Sequence, residues 1–299
     1  RHIDFQSSID IRNLRRVEKH LRQLISPVWP EHILPKIDKT RLMNGTRIFA
    51  KYCASCHVQI NPTAADRRVV AKMISVASVG TDSKMAENSR GFLGYSGILQ
   101  NQYVATQVGN LLLQPQAPAV ALLTLATRNV VTTPDPDKWF LRRWAERSFD
   151  FAHTFFDNEV RPSLKHGLYS PDSTVEPFAS IKAYKARPLN GIWATAPYLH
   201  NGSVPTLYDL MLPKKRANDP NDGEYRPDEF RTGSREFDPI KVGFRIDGYE
   251  GFLFRTSIWG NGNEGHEYAS GRSPQLDGTY LPALSKEERL DLLEYLKSL

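Results

Sequence analysis

Two cysteines and a histidine lie close together in the stretch Cys53-Ala54-Ser55-Cys56-His57. Two thiols separated by two residues can add to the two vinyl groups of one haem, and the histidine that follows can then bind the iron. These are the only two cysteines among the 299 residues. A redox dithiol or a lone disulfide would account for the thiols but would not need His57. The motif therefore predicts one covalently attached haem c with His57 as an axial ligand.

The composition predicts a folded protein that meets its partners through charge. Hydrophobic residues make up 40% of the chain, which is enough for a packed core. The formal net charge of +6 suits an acidic protein face, an anionic lipid surface or nucleic acid. For a haem protein we favour an acidic redox partner and expect no nucleic-acid binding. No apolar run reaches the length of a membrane span, so we expect a soluble chain without a transmembrane segment.

The expected location follows from the chemistry of the motif. Covalent haem c is normally assembled outside the cytoplasmic membrane, so we expect a bacterial protein that is periplasmic or secreted. The sequence begins with Arg1 and shows no charged stretch followed by an apolar one. We therefore expect a processed or trimmed product whose signal peptide is not present in this chain.

An amphipathic helix is predicted at the start of the chain, over about residues 8–25. Leu14, Val17, Leu21 and Leu24 recur at helical spacing. The intervening positions carry Arg12, Arg15, Arg16, Lys19 and Arg22. This basic surface is either a docking site for a partner or membrane, or simply a solvated helix face. With the proline-rich linker after it, the helix forms our first predicted region, residues 1–39.

A second predicted helix leads directly into the haem motif. In this helix Gly45 permits the close approach of another helix, and Phe49 lies one turn further on, where it can pack beside a porphyrin. The last helix of the chain supplies the partner, because Ser285 and Glu288 form a capping box before an apolar stripe. The stripe consists of Leu292, Leu293, Leu296 and Leu299. A helix that ends in such a motif and crosses a C-terminal helix resembles the layout of class I cytochromes c.

These features predict a mainly α protein with a class I cytochrome c-like helical core. The haem domain would take up residues 40–299, with a long, loop-rich insertion at about 58–260. Within the insertion, residues 101–160 read as largely helical, and the aromatic segment from Trp139 to Phe156 suits core packing or an apolar substrate path.

The ligand in the sixth iron position decides between functions, because a strong second ligand permits electron transfer whereas an open position permits reaction with dioxygen or peroxide. The candidates in the sequence are His166, His200, His266, Met43, Met73, Met85 and Met211. His266 lies in a loop of small residues that can approach a flat ring closely, and the alternative is a surface loop histidine. His200 precedes an Asn-Gly turn and also suits a structural role.

Three further residues are candidates for contact with the edge of the haem. Arg187 can pair with a propionate carboxylate, and Trp193 and Tyr198 can each donate one hydrogen bond. Ordinary packing is the alternative, particularly for Trp193.

Three segments together resemble one known group of proteins. They are residues 187–207, which contain Ala-Pro-Tyr-Leu-His-Asn-Gly, residues 233–244, and the loop of residues 260–266. They resemble the C-terminal haem domain of bacterial two-haem rubber oxygenases and the related dihaem cytochrome c peroxidase-like proteins, over roughly residues 40–299. The resemblance implies a haem held by two histidines that relays electrons.

Carried over residue by residue, the resemblance makes His57 the proximal ligand and His266 the distal one. The rubber oxygenases bind dioxygen on a separate N-terminal haem. This sequence has one CxxCH motif with 52 residues before it, so we expect the oxygen-binding domain to be absent.

The expected function is that of a monohaem c-type cytochrome in periplasmic electron transfer, with no catalytic residues assigned. One alternative is a haem peroxidase or oxygenase in which His200, or His266 displaced from the iron, acts on bound peroxide or dioxygen. The other is a redox subunit of a larger complex.

Overall fold

The computed structural model describes residues 7, 9–63, 70–106, 109–133, 137–156, 164–166, 178–179 and 181–299. The helices are α1 (Ile11–Arg22), α2 (Lys39–Tyr52), α3 (Val76–Val79), α4 (Lys84–Gly91), α5 (Ala119–Thr132), α6 (Phe140–Phe156), α7 (Leu207–Leu210) and α8 (Lys286–Lys297). The strands are β1 (Val70–Ser75), β2 (Leu93–Tyr95), β3 (Tyr103–Thr106), β4 (Gly109–Leu112), β5 (Gln116–Pro118), β6 (Leu164–His166), β7 (Ala183–Ala186), β8 (Glu229–Thr232), β9 (Phe237–Asp238), β10 (Gly243–Phe244) and β11 (Phe252–Arg255).

The mainly α prediction is wrong, because the fold is mixed α and β. The structure is 34% helical and 15% strand, with several small sheets. Its strands are short and show no strict alternation: in β1 only the second and fifth residues are buried. Alternation is the main sequence signal of a half-buried strand, so these strands could not be recognised from the residue pattern.

The chain divides into two compact units, and the larger one contains the CxxCH motif. This large unit comprises Ile25–Ala86, Ser163–Tyr169 and Lys182–Leu299. Its core brings together buried residues from both ends of the unit, including Trp29, Phe49, Tyr198, Leu207, Val242, Leu292 and Leu293.

Helices α2 and α8 form the predicted crossing in the large unit. A Cβ atom built on Gly45 would lie 2.1 Å from the backbone oxygen of Asp291, so only glycine permits this approach. One turn further along α2, Phe49 is buried and its ring centroid lies 4.9 Å from that of Tyr295. The predicted close approach at Gly45 is confirmed, and Phe49 packs at the same crossing.

The start of α8 carries the predicted capping box. The Ser285 hydroxyl accepts a hydrogen bond from the Glu288 amide at 3.2 Å, and the Glu288 carboxylate accepts one from the Ser285 amide at 2.8 Å. This confirms the prediction and shows why the last helix begins at Lys286.

Replacing Ser285 with alanine is expected to lower the free energy of unfolding by about 1 kcal/mol, because one end of α8 loses its side-chain acceptor. Urea unfolding of the holoprotein measures the change. Ser298→Ala is a matched control at the other end of the helix, where we expect a change within about 0.5 kcal/mol. Equal losses in the two variants would contradict the capping argument.

A three-stranded sheet in the large unit has the order β6-β1-β7. Strand β1 pairs in parallel with β6 and antiparallel with β7, where Ile74 lies opposite Tyr184. Strand β7 ends at Ala186, so the sheet fixes the position of the next residue, Arg187. This was not anticipated, because β1 and β7 are about a hundred residues apart in the sequence.

The small unit comprises Arg1–Leu24, Glu87–Pro162 and Ser170–Ile181. In it, β2 pairs with β5 and β3 pairs with β4. Its core contains Leu99, Val104, Leu113, Ala117, Ala121 and Leu125. The segment read as largely helical therefore contains α5 and α6 but also three strands.

Helix α1 of the small unit begins later than predicted. Asp10 caps it by accepting a hydrogen bond from the Asn13 amide, and residue 8 lies outside the described residues. The apolar stripe faces solvent, with Leu14 50% and Leu21 58% exposed. Arg12 forms an ion pair with Asp150 at 2.6 Å, so part of the predicted basic surface is used within this unit.

Among the described residues, no helix is both long enough and apolar enough to cross a membrane.

Candidate haem-binding site

The CxxCH motif forms a tight turn that continues from the end of α2. The Cys53 amide donates to the Phe49 carbonyl at 2.9 Å, and the His57 amide donates to the Cys53 carbonyl at 2.9 Å. Both cysteines are free thiols. The end of one helix thus holds two thiols and an imidazole together, as attachment of one haem requires.

The surroundings of the thiols disfavour their reactive form. Burial, together with the neighbouring Cys56, raises the pKa of Cys53 to about 12. Burial also raises the pKa of Cys56, although Lys72 and the Ser55 hydroxyl oppose the shift. A redox dithiol works through a thiolate whose pKa is lowered. Neither thiol shows the lowered pKa that is typical of a redox dithiol.

A backbone contact fixes the orientation and the tautomer of His57. Its Nδ1 lies 2.7 Å from the carbonyl oxygen of Arg187, and because a carbonyl only accepts, Nδ1 carries the proton. Nε2 therefore has a free electron pair that can bind a metal. Desolvation lowers the pKa of His57, which favours the neutral imidazole that metals bind.

His266 faces His57 at a distance that suits a shared metal ion. The two ring centroids are 6.2 Å apart, and the ring planes are inclined by 66°. A metal–imidazole bond is about 2.0 Å long and a ring centre lies about 1 Å from its nitrogen, so two imidazoles on opposite sides of one metal place their centroids about 6 Å apart. The structure therefore brings the two histidines together in a geometry that fits axial ligation.

The backbone around His266 is held against the loop that follows α3. The His266 amide donates to the Val79 carbonyl at 2.8 Å. A Cβ atom on Gly265 would lie 2.2 Å from the backbone carbon of Gly80, so glycine is required there. Gly265 and His266 both have positive φ angles, 73° and 50°. Gly265 is therefore small because two backbone segments touch at this point.

The state of His266 also fits a metal ligand. Its Nδ1 is buried without a hydrogen-bond partner. Desolvation, with smaller contributions from His57 and Arg226, lowers the pKa of His266 to about 3. The ring is thus neutral at physiological pH and keeps an electron pair for a metal. In the part of the chain that the structure describes, no group of three or more acidic, cysteine or histidine side chains forms a separate metal site.

Two residues near His266 were missed by sequence reasoning. Tyr268 is 8% exposed, its ring centroid lies 5.1 Å from that of His266, and burial raises its pKa to about 12. Arg226 is 2% exposed and donates to the carbonyl oxygens of Gly265 and His266. A tyrosine two residues after a histidine is a weak signal, and an arginine in a polar segment reads as a surface charge. No pattern in the sequence could have identified Arg226.

The three residues proposed for the haem edge are placed as follows. Arg187 contacts His57 through its backbone carbonyl, while its side chain is exposed. The Trp193 indole donates to the Pro27 carbonyl at 3.0 Å, and the Tyr198 hydroxyl donates to the Ile192 carbonyl at 3.1 Å. These two donors therefore already have partners within the protein, and contact with haem propionates stays a prediction.

His200 lies in a different setting from His266. Its ring stacks on Tyr184 at 4.0 Å, and its Nε2 is buried without a hydrogen-bond partner. Desolvation lowers its pKa, against the opposing effect of Asp82 and Glu264. The side chain of the other candidate histidine, His166, lies outside the described residues.

The four methionines differ in their surroundings. Met211 is buried in the core, Met43 and Met85 are exposed, and Met73 lies in β1. None of the contacts that the structure describes brings a methionine to His57.

Two thiols in one turn, the imidazole that follows them and a second imidazole whose ring centroid lies 6.2 Å away fit the haem site of a c-type cytochrome. Comparison with known proteins agrees with this class. Residues 183–219 match a family model described as RoxA-like, cytochrome c-like. The match supports a RoxA-like cytochrome c domain, in agreement with the resemblance stated above, and a domain of this kind implies a haem c.

Two curated relatives come from Sinorhizobium fredii. The uncharacterized protein y4iJ is 30% identical over 292 residues, which cover 91% of this chain and 41% of y4iJ. The uncharacterized protein y4iM is 34% identical over 156 residues, which cover 47% of this chain and 32% of y4iM. The chain thus corresponds to less than half of each relative.

Proposed function

We propose that this chain is a monohaem c-type cytochrome that transfers electrons. Cys53 and Cys56 would attach one haem covalently, and His57 and His266 would bind its iron from opposite sides. The distance of 6.2 Å between the two imidazole centroids carries the proposal. When bound, the haem supplies an iron that accepts and releases one electron.

The two histidines favour electron transfer over reaction with small molecules. His57 is oriented by its Nδ1 proton, which the Arg187 carbonyl accepts, and such a contact raises the basicity of a metal-bound imidazole. As the second ligand, His266 would occupy the position where dioxygen or peroxide would otherwise bind. Two strong nitrogen ligands therefore support a six-coordinate, low-spin site.

The residues around the two ligands support the same function. Tyr268 packs edge-on against His266, and Phe49 packs against Tyr295 at the crossing of α2 and α8; both side chains are buried. A shielded site has a low local polarity, and this polarity together with the hydrogen bonds to the ligands sets the reduction potential.

The partner and the location belong to the same proposal. The net charge of +6 supports an acidic redox partner, whose association would slow as the ionic strength rises. A periplasmic or secreted location follows from the place where covalent haem c is assembled. The coverage of 41% of y4iJ supports the alternative that the chain acts within a larger redox protein or complex.

Replacing His266 with alanine tests the proposed ligation. The purified ferric wild type is expected to show a low-spin electronic and EPR spectrum, and His266→Ala a high-spin one, because one strong axial nitrogen is removed. His200→Ala is the matched control, since it removes another partly buried histidine of the same unit, and it should remain low-spin.

A wild-type protein that is already high-spin, or that binds peroxide quickly, would contradict electron transfer through a haem with two histidine ligands. That result would favour a peroxidase or oxygenase.

A further inference from the structure

Arg226 is the largest side chain among the fully buried ones that the structure describes. Burial lowers its pKa to about 10, so the guanidinium remains charged at neutral pH. Among the described residues, no carboxylate accepts a hydrogen bond from this guanidinium. Its terminal nitrogens instead donate to four backbone carbonyls: Asn263 at 2.6 Å, Gly265 at 2.8 Å, Leu210 at 2.8 Å and His266 at 3.2 Å.

The four acceptors show which two segments of the chain Arg226 connects. Three of them belong to the loop that ends at His266, and the fourth, Leu210, is the last residue of α7. The guanidinium is planar and presents its donors in a rigid fork, so its bonds fix the directions of the carbonyls they reach. Arg226 therefore ties the loop carrying His266 to a helix in the core of the large unit.

The loop needs such a restraint because its backbone conformation is unfavourable. His266 has a φ angle of 50°, a conformation that is uncommon for residues other than glycine. Gly265 and Gly262 have little intrinsic preference for any one conformation. The side chain of His266 cannot supply the restraint, because its buried Nδ1 makes no hydrogen bond.

The earlier part of the loop is held by other residues. The Asn201 side chain donates to the carbonyls of Gly260 and Gly262, and Ser203 donates to that of Gly262. These contacts lie four or more residues before His266. Arg226, in contrast, bonds the carbonyl of His266 itself and that of its neighbour.

We propose that Arg226 is a positioning residue that holds His266 at the haem iron. The inference rests on the proposed ligation by His57 and His266. Without the four bonds, the amide contact to Val79 would be the main restraint left on the His266 backbone. The loop would then relax from its left-handed conformation for part of the time, and His266 would leave the iron. The same haem would then bind external ligands.

The test uses the purified holoprotein with Arg226→Gln and Arg226→Lys. A hydrogen bond from a charged group shifts an equilibrium by about tenfold or more, so carbon monoxide should bind ferrous Arg226→Gln about tenfold faster than wild type or more. The ferric form should show a high-spin fraction that added imidazole converts to low spin. Arg226→Lys keeps the positive charge but loses the planar, forked arrangement of donors. Its carbon monoxide binding rate and its high-spin fraction should therefore fall between those of wild type and Arg226→Gln.

Arg272→Gln is the matched control. Arg272 is a partly buried arginine that pairs with Asp219 at 2.8 Å. It also donates to the Lys214 carbonyl at 3.3 Å. Loss of an arginine that only stabilises the fold should lower the melting temperature and leave the spin state and the carbon monoxide rate unchanged.

The outcomes separate this inference from the proposed function. A low-spin wild type with Arg226 variants that are also low-spin, and that bind carbon monoxide at the wild-type rate, would overturn the positioning role. If the Arg226→Gln protein cannot be produced in folded form, the spin state and the carbon monoxide binding rate of Arg226→Lys decide instead. A high-spin wild type would instead refute the ligation by two histidines.

Discussion

Replacing both Cys53 and Cys56 with alanine is expected to abolish covalent haem attachment. The two thiols lie in one turn after α2 and are free to form bonds to the vinyl groups. Without them, ligation by His57 and His266 is reversible, and the haem is lost when the protein is denatured. Haem staining of a denaturing gel, with mass spectrometry of the intact chain, measures the loss. The wild type should retain the mass of one haem and the double variant none.

Ser55→Ala is the control for this experiment. Ser55 lies between the two cysteines, and its hydroxyl donates to the Gln275 side chain at 3.3 Å. The variant disturbs the same turn without removing a thiol, so its haem should remain attached. Retention of the haem mass by the double cysteine variant would contradict attachment at this motif.

Gly45→Ala is expected to destabilise the protein even though alanine is the better helix former. Alanine in a helix is favoured over glycine by about 1 kcal/mol. Here its Cβ would lie 2.1 Å from the Asp291 oxygen, so α2 and α8 would have to separate. Overpacking of this kind costs about 1–3 kcal/mol. We expect the clash to outweigh the helix preference and the free energy of unfolding by urea to fall.

Ala50→Gly is the matched control for Gly45→Ala. Residue 50 lies on the exposed side of the same helix, so the change should cost about 1 kcal/mol, as helix preference alone predicts. If Gly45→Ala were more stable than the wild type, the closeness of the two helices would be refuted.

The parts of the site that could be predicted from the sequence depend on local patterns. The role of Gly45 and the capping box of Ser285 and Glu288 were recognisable because each depends on residues within one or two helical turns. The same is true of the two cysteines and His57. The loop of small residues before His266 was recognisable as a place where backbone segments approach.

The parts that could not be predicted depend on contacts between distant segments. The position of Arg187 beside His57 follows from the pairing of β1 with β7, and their residues carry no alternating pattern. Arg226 was missed because its partners are backbone carbonyls, which every residue has. The mainly α prediction was wrong for the same reason, since short strands are stabilised by partners far away in the chain.

The crossing of α2 and α8 has a consequence for the order in which the protein is made. The haem motif follows α2 near residue 53, whereas the helix that packs on α2 begins only at Lys286. During synthesis the thiols therefore emerge long before the helix that completes their surroundings, and closing such a large loop slows folding. A haem joined by covalent bonds would stay with the chain until this loop has closed, whereas a haem held by ligation alone would be free to leave.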